Sequence, residues 1–126
     1  MTDPDPAKTA HRITVSDPVV TVEVVVDGTV VARTDRARVL REGSLPPRYY
    51  LPRHDVRTDL LVATDHGTTC PFKGDASYWS LEVDGTRHEN LVWSYESPIP
   101  EMAPIAGLLA FYDERVTLRA EDQPAD

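Results

Sequence analysis

The segment that decides the fold is residues 19–34, which read VVTVEVVVDGTVVART. Its first half, residues 19–26, is β-branched almost throughout, and β-branched side chains favour extended strands. Asp27-Gly28 follows, and Asp-Gly between two apolar runs is a strong signal for a two-residue hairpin turn. We therefore expect a strand over residues 19–26 that returns as a second strand over residues 29–34.

Further extended segments are predicted on the C-terminal side of this hairpin. Residues 38–41 form an apolar segment, and Pro46-Pro47 then enforces an extended chain before residues 48–51. Pro52 suits the first position of a short helix, because proline is favoured at that position. Residues 63–75 contain several turn formers and little periodicity, which predicts a loop.

A second hairpin is predicted around Asp84-Gly85. With a two-residue turn there, Tyr78 lies opposite Leu91, and opposed residues of an antiparallel pair share a face of the sheet. That register places four large side chains on one face: Tyr78, Leu91, Trp93 and Tyr95. A last hairpin is predicted to turn at Asp113-Glu114 and to pair Phe111 with Val116.

These segments predict a mainly β fold of about seven or eight strands, with one or two short helices, in a small barrel or sandwich. A length of 126 residues fits a single compact domain. We place this domain at residues 13–119, between flexible tails at residues 1–12 and 120–126.

Composition argues against several classes of partner. The net charge is −8, whereas nucleic acids and anionic membranes are bound by basic patches. The first ten residues lack the apolar segment of a signal peptide, and no apolar run approaches the roughly 18 residues of a membrane helix. We therefore expect a cytoplasmic protein that binds neither nucleic acid nor membrane. No Cys/His set has the spacing of a metal site, so neither metal nor cofactor is expected, and the oligomeric state is left open.

Cys70 and Lys73 are the candidate catalytic residues. Cys70 is the only cysteine and Lys73 is one of two lysines. A nearby cation lowers the pKa of a thiol and makes it a better nucleophile, which is the functional interpretation of this pair. The structural interpretation is that Cys70 is a small buried side chain and that Lys73 is an exposed loop charge.

Aromatic side chains and one arginine complete the predicted ligand site. Tyr78, Trp93 and Tyr95 on one sheet face form a stacking platform for a planar or cationic ligand, or else pack into the core. Arg53 lies with Asp55 at a strand-to-helix corner, where the pair binds an anionic group or caps the helix.

Two short sequence motifs are similar to those of a known family. Residues 69–74 read TCPFKG and residues 93–95 read WSY, and Leu51-Pro52-Arg53 and Ile105-Ala106-Gly107 accompany them. Over about residues 20–118 the chain resembles the bacterial and fungal family of domains of unknown function numbered 427. The resemblance implies a compact, mainly β single domain, and it implies no defined activity.

One label of that family suggests nucleotidyl transfer. That reaction needs a Gly-Ser element and paired acidic ligands for magnesium, and the only Asp-x-Asp of this chain is at residues 3–5. The sequence therefore does not support the label.

Two hypotheses follow for the function. The first is a domain that binds a small molecule in a pocket formed by the aromatic sheet face and the loop from Cys70 to Lys73, with Arg53 at its rim. The alternative is a structural or protein-interaction module without catalytic activity. The sequence assigns no reaction to either.

Overall fold

A computed structural model describes residues 12–122 of the chain. Within this range the chain forms ten strands joined by short turns, including four 3-10 turns at Arg53–Asp55, Thr58–Leu60, Pro100–Ile105 and Asp113–Arg115. The strands are β1 (Ile13–Ser16), β2 (Val20–Val26), β3 (Thr29–Thr34), β4 (Arg38–Glu42), β5 (Arg48–Tyr50), β6 (Leu61–Cys70), β7 (Gly74–Val83), β8 (Thr86–Ser94), β9 (Ala110–Phe111) and β10 (Thr117–Asp122). The predicted mainly β class is confirmed, with more strands than the predicted seven or eight. None of the helical turns in residues 12–122 is long and apolar enough to cross a membrane.

The strands form three antiparallel sheets in a sandwich-like arrangement. Their strand orders are β1-β4-β5, β10-β2-β3 and β6-β7-β8-β9. An isolated bridge between Leu51 and Leu109 connects the end of β5 to the start of β9, and another joins Ala32 of β3 to Val56 between the first two 3-10 turns. Of the two predicted forms, the described residues therefore adopt the sandwich and do not close into a barrel.

The first hairpin forms as the sequence predicts. β2 pairs with β3 around Asp27-Gly28, whose φ angles are 51° and 79°. Both residues are in the left-handed region, which suits the right-handed twist of the flanking strands. Val22, Val24 and Val26 of β2 are all buried on one face, as period-2 alternation requires.

The second hairpin has the predicted turn but a different register. Beyond the turn a β-bulge shifts the pairing between β7 and β8, so Tyr78 lies opposite Trp93 instead of the predicted Leu91. The shift is two residues, which keeps Tyr78 and Trp93 on one face. Asn90 lies in the bulge with φ of 50°, and its backbone N–H donates to Ser80 Oγ at 3.1 Å.

The predicted loop over residues 63–75 is wrong. Its first part continues β6 to Cys70, its last part begins β7 at Gly74, and only Pro71–Lys73 form a turn. Of the three turn formers that indicated a loop, only Gly67 lies within β6, and it follows an irregular pairing after Ala63 where extra residues bulge out of the ladder.

The predicted hairpin at Asp113-Glu114 is also wrong. Phe111 of β9 pairs with Val92 of β8, whereas β10 crosses to the other side and pairs with β2. β10 extends through Asp122 and so includes the first residues of the predicted C-terminal tail. The remainder of the predicted tails, residues 1–11 and 123–126, lies outside the described residues.

Buried side chains separate into two clusters of different chemistry. The first, called here the aliphatic core, consists mainly of valine and leucine with Phe111: Val22, Val24, Val26, Val31, Ala32, Ala37, Leu51, Val56, Leu81, Val83, Leu91, Val92, Leu109 and Phe111. The second, called the aromatic core, contains Leu40, Tyr50, Ala76, Tyr78, Trp93, Tyr95, Met102, Ile105 and Ala110. Leu91 thus belongs to the aliphatic core and not to the predicted aromatic face, because of the bulge in β8.

Candidate functional site

A cavity of about 580 Å³ borders the aromatic core. One wall comes from β4, β5 and the segment between them, and the other comes from β7, β8, the turn before β7 and the segment after β9. The lining residues are Leu40, Glu42, Leu45, Pro46, Arg48, Tyr50, Lys73, Tyr78, Trp93, Tyr95, Tyr112, Asp113 and Glu114. The cavity therefore lies between the β1-β4-β5 sheet and the β6-β7-β8-β9 sheet, and a concave surface of this kind is the usual place for a ligand.

β5 brings a cation and an aromatic ring to the same side of its sheet. Arg48 and Tyr50 are two residues apart on this strand and both line the cavity. The Pro46-Pro47 step before them sets the extended chain that begins the strand. Tyr49, between them, instead packs against the aliphatic core.

Trp93 is the centre of the aromatic wall. Its ring lies 4.6 Å from Tyr112 in a tilted arrangement and 6.3 Å from Tyr50 edge to face, between ring centroids. Its indole Nε1 donates to the Tyr50 hydroxyl at 3.3 Å. The buried indole N–H is thus satisfied inside the wall.

A chain of hydroxyl groups links Thr68 to two tyrosines of the cavity wall, Tyr78 and Tyr112. The Tyr78 hydroxyl is 3.0 Å from Thr68 Oγ1 and 3.3 Å from the Tyr112 hydroxyl.

Burial raises the pKa of Tyr50 to about 12 and that of Tyr112 to about 12, and burial also raises the pKa of Tyr95. These three phenols are therefore neutral hydrogen-bonding groups at physiological pH.

An ion pair shielded from solvent lies at one end of the cavity. Lys73 Nζ donates to Glu42 Oε1 at 2.7 Å, and the two side chains are only 13% and 15% exposed. Lys73 Nζ also lies 5.9 Å from the centroid of the Tyr95 ring, within the range of a cation–π contact. The pair thus joins β4 to the β6–β7 turn across the cavity.

Gly74 fixes the position of that turn. Its φ is 122°, and a Cβ at this position would lie 3.2 Å from Cα of Pro98. The backbone N–H of Ile99 donates to the Lys73 carbonyl at 2.9 Å, so the turn is held against the segment that follows β8. A side chain at Gly74 would push the turn away from this segment and displace Lys73.

A second group of charges lies at the segment after β9. Arg48 Nη1 is 3.4 Å from Glu114 Oε2 and 3.8 Å from Asp113 Oδ1. The guanidinium carbon lies 5.3 Å from the Trp93 ring centroid and 5.6 Å from that of Tyr112. Burial raises the pKa of Asp113, while Arg48 opposes this effect. Arg48 thus binds carboxylates and covers aromatic rings at the same time.

The structure brings four of the six residues predicted for the site around this cavity: Lys73, Tyr78, Trp93 and Tyr95. Cys70 is partly buried against the aromatic core and pairs with Gly74 at the end of the hairpin, but it does not line the cavity. No hydrogen bond within residues 12–122 joins its thiol to Lys73, whose ammonium is bound to Glu42.

Arg53 lies outside the cavity. Its Nε donates to the Gly107 carbonyl at 2.9 Å, its Nη2 forms an ion pair with Glu96, and its guanidinium lies 5.1 Å from the Trp79 ring centroid. Asp55 accepts a hydrogen bond from Thr34 at 2.7 Å. Arg53 and Asp55 thus bind to other segments of the chain and do not form the predicted site at the rim of the cavity.

The sequence prediction omitted nine of the 13 residues that line the cavity. Tyr50 and Tyr112 are the second residues of the aromatic doublets Tyr49-Tyr50 and Phe111-Tyr112, and in each doublet only the second side chain lines the cavity. Those doublets were the available signal. Glu42, Arg48 and Asp113 have no local motif, because each comes to the site through long-range strand pairing.

The acidic side chains around the cavity do not form a metal site. Among residues 12–122, no group of three or more His, Cys, Asp and Glu residues is placed to hold a metal ion.

Comparison with known proteins gives a family and no activity. No curated protein matches the chain. A family model described as a domain of unknown function (DUF427) matches residues 14–122, which is most of the chain. The chain therefore belongs to the DUF427 family.

Proposed function

We propose that this protein binds a small planar molecule in the cavity between β5 and β7–β8. The observation that carries the proposal is the cavity itself, whose volume of about 580 Å³ is in the usual range for ligand sites. Five of its lining residues are aromatic, namely Tyr50, Tyr78, Trp93, Tyr95 and Tyr112. A mostly apolar wall with a few convergent polar groups is the usual composition of such sites.

The charges of the wall narrow the class of ligand. The lining contains two cations, Arg48 and Lys73, and three carboxylates, Glu42, Asp113 and Glu114, so its formal charge is +2 − 3 = −1. Both cations already have carboxylate partners. A ligand with several negative charges would therefore meet net repulsion, and a neutral or weakly charged planar molecule suits the site better.

A structural or interaction module remains the alternative because several of the rings are themselves buried. Tyr50, Tyr78, Trp93 and Tyr95 are between 1% and 7% exposed, as core aromatics commonly are. Lys73, however, lies in the wall of a concave site and not in bulk solvent, which favours the binding hypothesis. We propose no reaction, since Cys70 lies outside the cavity wall.

A thermal-shift screen of planar heteroaromatic compounds tests the proposal. A ligand at about 100 times its Kd stabilises the folded state by about 2.7 kcal/mol, which raises the Tm by roughly 10 °C for a chain of this size. Tyr112→Ala should abolish the shift, because this ring lines the cavity and contacts Trp93. Tyr49→Ala is the matched control, since Tyr49 is a partly buried tyrosine that does not line the cavity.

Two results would contradict the proposal. One is a screen in which no planar compound raises the Tm of the wild-type protein. The other is a set of compounds whose shifts are the same in wild type and Tyr112→Ala, which would place their binding elsewhere. In the first case the structural alternative becomes the better account of the aromatic core.

A further inference from the structure

An acceptor without a donor lies in the cavity wall. Asp113 Oδ1 is buried and has no hydrogen-bond partner within residues 12–122. The nearest cationic atom, Arg48 Nη1, is 3.8 Å away, which is beyond hydrogen-bond length. A buried acceptor that is left unpaired costs free energy. The Asp113 side chain as a whole is 33% exposed, so a rotation of its carboxylate would bring this oxygen to a donor supplied by a ligand.

Unused donors lie beside this acceptor. In the described part of the chain, Arg48 makes one hydrogen bond, from Nη1 to Glu114 Oε2 at 3.4 Å. A guanidinium carries five N–H donors, so those on Nε and Nη2 are available to another acceptor. The arginine is 31% exposed, and water or a ligand can reach it.

These donors and the acceptor lie at the edge of the aromatic wall. The guanidinium of Arg48 is within 6 Å of the rings of Trp93 and Tyr112, and Asp113 directly follows Tyr112 in the chain. Because Arg48 already covers the rings of Trp93 and Tyr112, a planar molecule in the cavity would contact the remaining aromatic rings, Tyr50, Tyr78 and Tyr95, and would present its edge to Arg48 and Asp113.

We propose that the ligand is a planar heterocycle whose edge presents an N–H donor beside a carbonyl acceptor, as in the rings of guanine and pterin. This inference rests on the proposed binding function. The N–H of the ligand donates to Asp113 Oδ1, the carbonyl accepts from Nε or Nη2 of Arg48, and the ring contacts the aromatic wall.

A ligand with a single charge interacts favourably with only one of the two residues, Arg48 or Asp113. An organic cation pairs with Asp113 but is repelled by Arg48, while an anion pairs with Arg48 but is repelled by Asp113 and Glu114. A heterocycle with both a donor and an acceptor on one edge satisfies both groups without adding charge. Sites that hydrogen-bond a ligand in this way discriminate strongly against analogues that lack the group.

Isothermal titration calorimetry with four probes tests the inference. Guanosine and pterin carry the proposed edge, N1-methylguanosine has the donor blocked, and indole is planar but has no carbonyl. We expect guanosine or pterin to bind more tightly than indole. If guanosine binds, N1-methylation should weaken its binding at least tenfold, as expected for one lost hydrogen bond to a charged group.

Variants of Arg48 and Asp113 provide a second, independent test of the inference. Arg48→Met and Asp113→Ala should each weaken binding of the tighter probe at least tenfold. Arg53→Met and Glu96→Ala are matched controls, because these residues also form an ion pair beside a tryptophan but lie outside the cavity. Both controls should bind like wild type, and the Tm of each variant shows whether it is folded.

The outcomes separate this inference from the proposed function. If indole binds and neither guanosine nor pterin binds more tightly, the edge recognition is wrong while the cavity remains a binding site. The edge recognition is also wrong if guanosine and N1-methylguanosine bind with the same affinity and pterin binds no more tightly than indole. If none of the four probes binds, the edge recognition is wrong, and the thermal-shift screen of planar compounds then decides whether the cavity is a binding site.

Discussion

The aliphatic core and the aromatic core are built partly from the same strand but differ in chemistry. β8 contributes Val92 to the aliphatic core and its neighbour Trp93 to the aromatic core, because successive side chains point to opposite faces. The aliphatic core consists of apolar side chains that are almost completely buried. The aromatic core instead carries hydroxyl and indole groups, and it borders a cavity with two groups of charges. We propose that the face with the aliphatic core mainly stabilises the fold and that the face with the aromatic core binds the ligand.

The largest expected effect is loss of a ring from the aliphatic core. Phe111 is 1% exposed, so Phe111→Ala should lower the free energy of unfolding by about 3–5 kcal/mol. Trp93→Ala should cost less, about 2–3 kcal/mol, because part of its ring borders a cavity and loses fewer contacts. Urea unfolding of both variants measures the difference.

Ligand binding should be affected in the reverse order, with Trp93→Ala more damaging than Phe111→Ala. Trp93→Ala should abolish ligand binding, and Phe111→Ala should retain it under conditions where the variant is folded. If Trp93→Ala were the more destabilising change and still bound the ligand, the division into a stabilising face and a binding face would be wrong.

The shielded ion pair of the cavity should show the next largest effect. Lys73→Met leaves Glu42 as an uncompensated charge of low exposure, which should cost about 3 kcal/mol. The double variant Lys73→Met/Glu42→Leu should recover most of that loss, since an apolar pair replaces a buried ion pair at little cost. A double-mutant cycle from urea unfolding gives the coupling energy.

Arg87 and Glu82 form the matched control for that cycle. Their N–O distance is also 2.7 Å, but their side chains are 53% and 48% exposed. Arg87→Met should therefore change the free energy of unfolding by less than about 1 kcal/mol. Equal costs for Lys73→Met and Arg87→Met would show that the cavity does not shield its ion pair.

Alkaline pH should weaken the aromatic core before the aliphatic core. Burial raises the pKa of Tyr50 from 10.0 to about 12. A raised folded-state pKa stabilises the fold below the unfolded-state pKa, and this contribution is lost as pH rises through the folded-state pKa. Tyr50 alone should therefore contribute about 2–3 kcal/mol that disappears between pH 10 and about pH 12.

Ultraviolet titration of the phenolates measures this effect. Tyr50, Tyr95 and Tyr112 should ionise later than free tyrosine and close to the pH at which the protein unfolds. Tyr50→Phe should reduce the loss of stability above pH 10. Ionisation of all tyrosines near pH 10 in the folded protein would contradict the burial of these phenols.

The smallest effect is expected at Cys70. The side chain is only partly buried and lies outside the cavity wall, so Cys70→Ala should cost about 1 kcal/mol or less. Ligand binding should not change, and iodoacetamide should react with the wild-type thiol no faster than with a free cysteine. A rapid reaction that Lys73→Met removes would restore Cys70 as a candidate nucleophile.

Local signals in the sequence predicted much of the fold. Asp27-Gly28 and Asp84-Gly85 form turns because both residues of each pair adopt the positive φ of such turns. Residues 63–75 were predicted as a loop because of Gly67, Pro71 and Gly74. Only residues 71–73 form a turn, and the sheet accommodates Gly67 next to a bulge. The crossing of β10 to β2 is a long-range pairing, and no local pattern at Asp113-Glu114 reveals it.

The candidate site shows the same limit. Strand alternation was sufficient to place Tyr78, Trp93 and Tyr95 together, and the two-residue bulge left that parity unchanged. Lys73 reaches the wall because Gly74 allows close approach to Pro98. Cys70 was expected at the site because it is close to Lys73 in the sequence, and Arg53 because it lies with Asp55 at a strand-to-helix corner. Neither feature determines which way a side chain points.

The two tryptophans allow the most direct test of the central claim, that the aromatic core and not the aliphatic core is the binding face. Trp93 lines the cavity, while Trp79 packs against the aliphatic core beside Arg53. Their indole N–H resonances can be followed by NMR while guanosine or indole is added to isotope-labelled protein. We expect a saturable shift of the Trp93 resonance, with the Trp79 resonance unchanged. Shifts of equal size at both tryptophans, or no shift at Trp93 with either probe, would contradict it.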